Sequence, residues 1–149
     1  MSEDNTITKV YVSAPYWPTS IRRDEMALEL RRNTECILKT CRLLTLVGCM
    51  PLSPALYFPR FMDTDGEARK QEFKLLSLEW LSEADEVWVA GERISDDMAE
   101  EISIAREKGI PVLAVGEPEE LAKKYLEEHG NLGGITDRPT ERQEGISNE

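Results

Sequence analysis

At 149 residues the chain is long enough for one domain in which helices cover a sheet. Its composition, 40% hydrophobic and 32% charged, is that of a globular protein rather than a disordered one. A net charge of -11 argues against a nucleic-acid polymer or an anionic membrane surface as partner, although a local basic patch could still hold one phosphate.

No apolar run approaches the ~18 residues that a membrane span needs. The opening stretch MSEDNTITK is acidic and polar, unlike a secretory leader, so a cytoplasmic protein is expected. Cys36, Cys41 and Cys49 are an odd count with no CxxC pair, and they read as reduced, packed thiols. A single histidine, His129, and no clustered ligand pattern argue against a metal site.

Residues 9–13 alternate and run into Ala14-Pro15, which predicts a first strand opening into a loop. From 24 to 47 apolar residues recur at helical spacing (Met26, Leu30, Ile37, Leu38, Cys41, Leu44), and Gly48 stops the helix. Residues 50–53 predict a short second strand, and 54–61 an aromatic-rich loop, Pro-Ala-Leu-Tyr-Phe-Pro-Arg-Phe. A helix over 67–83 turns Phe73, Leu76, Trp80 and Leu81 inward. The strongest strand is 86–91, followed by a helix over 96–108 capped by Gly109. A fourth strand at 110–115 and a last helix from Pro118 to near Gly130 complete the α/β domain, expected over 1–130. Residues 131–149 read as a polar C-terminal tail.

Strands alternating with helices imply βαβ units, hence a three-layer sandwich around a parallel sheet of four or five strands in a flavodoxin-like order. Ligands of such sheets bind beyond the carboxyl ends of the strands. That rule singles out residues 13–23, 53–61 and 91–101.

The third segment contains Ser95-Asp-Asp-Met-Ala-Glu-Glu101. It reads either as a plain helix start, with Ser95 or Asp96 as cap and acids favoured by the dipole, or as a site. Glu101 precedes Ala105 by four residues and lies along the edge of the buried face, whereas Glu100 points to solvent. A carboxylate held there could act as nucleophile or general base. The first segment offers Tyr11, Ser13, Tyr16, Trp17 and Arg22, an aromatic surface with a cation nearby that suits a nucleobase and a phosphate, or else simple packing. Residues 57–61 form either a lid or a self-packed surface loop. The chain has no Gly-rich dinucleotide fingerprint and no P-loop, so no NAD, ATP or other cofactor is expected.

Several stretches, in this order, resemble the nucleoside 2-deoxyribosyltransferase-like superfamily, in particular a small phage and bacterial branch of it. They are Val10-Tyr-Val-Ser-Ala-Pro-Tyr16, Gly48 with Pro51-Leu-Ser-Pro54, Ala84-Asp-Glu-Val-Trp-Val-Ala-Gly91, Ile94-Ser-Asp-Asp-Met-Ala-Glu-Glu-Ile-Ser-Ile-Ala105 and Gly109-Ile-Pro-Val112. The resemblance implies a flavodoxin-like fold that cleaves or exchanges the N-glycosidic bond of a deoxynucleoside or its monophosphate. It implies Glu101 as the nucleophile, because the Glu-Ile-x-x-Ala pattern is kept at 101–105, and Tyr11 and Ser13 as residues lining the site. Tyr16, Arg22, Ser95, Asp96 and Met98 complete the expected substrate-binding set. The sequence departs from the pattern at Asp97, where a glycine is usual, and at Ser77, where an aspartate is usual. The alternative expectation is a non-catalytic binder of a nucleotide or nucleotide-derived signal at the same place. The resemblance also implies a homodimer or larger homo-oligomer.

Overall fold

The computed structural model describes residues 6–114 and 118–129. The expected polar tail at 131–149 lies outside these described residues. Four strands, β1 (Lys9–Ser13), β2 (Met50–Leu52), β3 (Glu86–Val89) and β4 (Val112–Ala114), form one sheet in the order β2-β1-β3-β4. All pairings are parallel, with Tyr11 opposite both Leu52 and Val87, and Ser13 opposite Val89. Helices α1 (Arg23–Leu46), α2 (Pro54–Tyr57), α3 (Gly66–Leu81), α4 (Asp96–Glu107) and α5 (Pro118–His129) connect or follow the strands. The architecture is α/β and flavodoxin-like, with four strands among the described residues.

Side chains alternate across a strand, so β1 feeds two cores. Val10 and Val12 join Trp88, Ile37, Leu44, Val47 and Ala122 on the face covered by α1 and α5. Tyr11 joins Val87, Val89, Leu81, Met98 and Ala105 on the face covered by α3 and α4. The switch point lies between β1 and β3, because α1 and α4 leave those two strands toward opposite faces of the sheet.

Two helix faces differ from the hydropathy reading. In α3 the buried stripe is Phe73, Ser77 and Leu81, while Leu76 is 40% exposed. In α1 it is Ile37, Thr40 and Leu44, with Met26 and Leu38 on the surface. Both buried hydroxyls donate to the carbonyl one turn back, Ser77 to Phe73 and Thr40 to Cys36, each at 2.8 Å. A satisfied hydroxyl tolerates burial, and a pattern of apolar residues alone does not reveal it. Residues 54–61 are not an open loop: Pro54 starts α2 and a 3-10 turn follows at Phe58–Arg60. Phe58 is buried there and packs on Trp80 at 5.0 Å.

Helix α1 ends in a Schellman motif, with Cys49 N–H donating to the Leu44 carbonyl and Gly48 N–H to that of Thr45. Gly48 has a φ of 88° that glycine adopts without strain, and this turn sends the chain directly into β2.

Candidate active site

Tyr11 and Ser13 are two residues apart on β1, so both project toward α3 and α4 from the carboxyl end of the strand. On α4, Met98, Glu101 and Ala105 follow helical spacing and form the stripe that faces the sheet. Ser95 fixes where that stripe begins, because its hydroxyl accepts the Met98 N–H at 3.2 Å. The result joins the two elements at one group. The Tyr11 phenol donates to Oε2 of Glu101 at 2.8 Å, and the Ser13 hydroxyl donates to Oε1 at 2.7 Å. Glu100, one residue away, turns outward and pairs with Lys74 at 2.6 Å.

Burial is the main influence on Glu101 and pushes its carboxyl from an ordinary value near 4.5 up to about 7. The Ser13 and Tyr11 hydroxyls draw it back down, while the Asp97 and Glu100 carboxylates push it up. Burial also raises Tyr11 well above the usual phenol range, helped by the charge and hydrogen bond of Glu101. Tyr11 therefore remains a donor at any pH near neutrality. A desolvated carboxylate with both oxygens aimed by hydroxyl donors can attack an electrophilic carbon or take a proton.

Tyr11, Tyr16, Ser95, Met98 and Glu101 line one narrow cleft of about 50 Å³, and Ser13 reaches it through its hydrogen bond to Glu101. Arg22 stands outside it, 67% exposed and paired with Asp24 at 3.5 Å and Glu25 at 3.6 Å. Asp96 is exposed and does not line the cleft, whereas Asp97 does. Phe73, Ser77 and Ala55 also contribute to the wall. Phe73 reads as plain core from sequence, and the signal for its second role is its position one turn before Ser77 on the stripe facing Tyr11. The mouth is aromatic: Trp17 packs edge-on against Tyr16 at 4.8 Å and Phe73 at 5.5 Å. Larger grooves, of about 790 Å³ beside α1 and about 550 Å³ on the outer face of α4, hold neither Glu101 nor its donors. The narrow cleft is the chemically equipped one.

The loop that carries Tyr16 and Trp17 is pinned from below. Glu29 accepts from the Thr19 N–H at 2.9 Å and the Ser20 N–H at 3.2 Å, and Asn33 donates to the Tyr16 carbonyl at 3.0 Å. Pro15 in the same loop presses on Gly91, where an added Cβ would stand 2.6 Å from the proline Cδ.

The three cysteines are thiols, and burial pushes Cys41 up to about 11, which suits packing rather than reactivity. Among the described residues no group of three His, Cys, Asp or Glu side chains is placed to hold a metal ion. No helix among them is long and apolar enough to cross a membrane.

A family model described as a domain of unknown function (DUF7768) matches residues 8–115. The chain belongs to that family. The DUF7768 segment contains all four strands and Glu101 with both of its donors. No curated protein matches the chain. Among solved structures it is similar to a 2-deoxyribosyltransferase from the psychrotolerant bacterium Bacillus psychrosaccharolyticus, with a TM-score of 0.54 and 18% identity. That likeness covers 72% of this chain and 71% of the other, and at such identity it establishes the fold.

Proposed function

We propose that this protein acts on the N-glycosidic bond of a nucleoside-class small molecule, with Glu101 as nucleophile. The observation that carries the reading is the buried Glu101 carboxyl with a hydroxyl donor on each oxygen. A Glu101 oxygen attacks the anomeric carbon while the carbon–nitrogen bond breaks. The departing base keeps the bonding electron pair and takes up a proton from water. The glycosyl ester on Glu101 is then opened by water, giving hydrolysis, or by a second base, giving transfer, and the carboxylate is restored. Tyr11 and Ser13 hold the carboxylate oriented and satisfy its oxygens as charge leaves them. The fold shared with a 2-deoxyribosyltransferase favours deoxyribosyl as the group transferred.

A cleft of about 50 Å³ is smaller than a nucleoside, so this reading requires the Trp17–Phe73 contact at its edge to part when substrate enters. The tight cleft and the hydroxyl of Ser77 at its wall favour a second reading, a binder of a nucleoside-derived ligand that does no chemistry. Incubation with a panel of 2′-deoxynucleosides separates the two. Release of free base by the parent and not by Glu101→Gln is expected; a ligand-induced thermal shift without any base release contradicts the enzyme reading.

The protein is further proposed to be cytoplasmic and a homodimer or larger homo-oligomer. Tyr57 and Phe61, 49% and 64% exposed beside the aromatic cluster, are the proposed contact. A monomeric mass by light scattering at micromolar concentration contradicts the dimer.

A further inference from the structure

We infer that the Glu101 cleft selects an uncharged nucleoside over its 5′-monophosphate, and that Asp97 is the residue that discriminates. The inference rests on the proposed nucleoside chemistry and adds the charge of the substrate. Among the residues lining the cleft the acids are Asp97 and Glu101, and no lysine or arginine lines it. Lys70 stands 5.3 Å from the centre of the Trp17 ring, and neither it nor the other nearby cations is among the residues that line the cleft. Lys74, on the adjoining wall of α3, contacts Glu100 at 2.6 Å and lies 4.0 Å from Asp97. Arg93 reaches the Trp17 carbonyl at 3.4 Å and Glu29 at 3.6 Å, and Arg22 pairs with its own helix.

The start of α4 would ordinarily attract a phosphate, because its first N–H groups and the helix dipole point there. Here that position is already used. Ser95 takes the Met98 N–H, and Asp96 and Asp97 supply negative charge in the first turn. A phosphate entering beside them meets Asp97, half exposed and 4.0 Å from Lys74, and above about pH 7 also the Glu101 carboxylate, in a cleft walled by Tyr16, Trp17 and Phe73. A sugar hydroxyl meets the same Asp97 as a hydrogen-bond acceptor. One side chain thereby favours the nucleoside and disfavours the nucleotide.

The test measures base release from a 2′-deoxynucleoside and from its 5′-monophosphate, by the parent and by Asp97→Asn, with thermal melts confirming that the variant folds. The parent is expected to favour the nucleoside in kcat/KM about tenfold, and Asp97→Asn to narrow that ratio about threefold. Equal or better use of the monophosphate, or a ratio that Asp97→Asn leaves unchanged, overturns the inference and leaves the glycosidic reading standing. No release from either substrate overturns the glycosidic reading instead. Calorimetric binding of the same two compounds then decides the inference: tighter binding of the nucleoside supports it, and equal binding, tighter nucleotide binding or no binding overturns it.

Discussion

Glu101 is held where its charge is costly, because the same burial that strips water from it leaves two hydroxyls as its partners. Its raised pKa has a definite sign in stability. Below about 4.5 the carboxyl is protonated in folded and unfolded chains alike, and its contribution is fully present. Between 4.5 and about 7 the unfolded chain releases the proton while the folded one keeps it, so stability falls as pH rises and levels off above 7. The span corresponds to roughly 3 kcal/mol. Glu101→Gln removes the charge, so the variant is expected to be more stable than the parent at pH 8 and to lose that advantage at pH 4.5. Denaturant melts at the two pH values check this, and an advantage independent of pH contradicts it. The residue is legible in sequence because a strand, a capped helix start and an Ala105 stripe together fix its direction. Its near-neutral pKa was not legible, since that depends on how Tyr11, Ser13 and Asp97 are brought around it.

At the level of elements, the site depends on two loops meeting above β1 and β3. Gly91 permits the meeting twice over: its φ of 98° is costly for any side chain, and Pro15 occupies the space a Cβ would need. Gly91→Ala is expected to destabilise the fold by about 1–3 kcal/mol. Unchanged thermal stability of that variant contradicts the packing described. The strands were legible because β1 and β3 alternate or run apolar between turn residues. The helix faces were legible only in part. Ser77 and Thr40 are buried through a hydrogen bond to their own helix, and Leu76, Met26 and Leu38 are displaced outward, so hydropathy placed the stripe one residue off in α3. The turn at Phe58 differs from the loop expected there for a related reason: its order comes from contacts with Trp80 and Phe73, which lie on another element.

For the whole molecule, the strand order puts the switch point between β1 and β3, and the carboxylate with its two donors sits there rather than at the larger grooves. Topology thus decides where a ligand can be held, and α4 decides which group meets it. The aromatic surface at Tyr57 and Phe61 lies on the α3 side of the sheet, the side that also carries Glu101, so association through it would bring a second copy near the site's own face. A glycosyl ester on Glu101 would be caught by acid-quenching the protein during turnover of a 2′-deoxynucleoside and weighing its peptides. A deoxyribosyl mass increment is expected on the peptide that contains Glu101, and none in Glu101→Gln. Base release with that peptide unmodified, or with the increment on another residue, contradicts it.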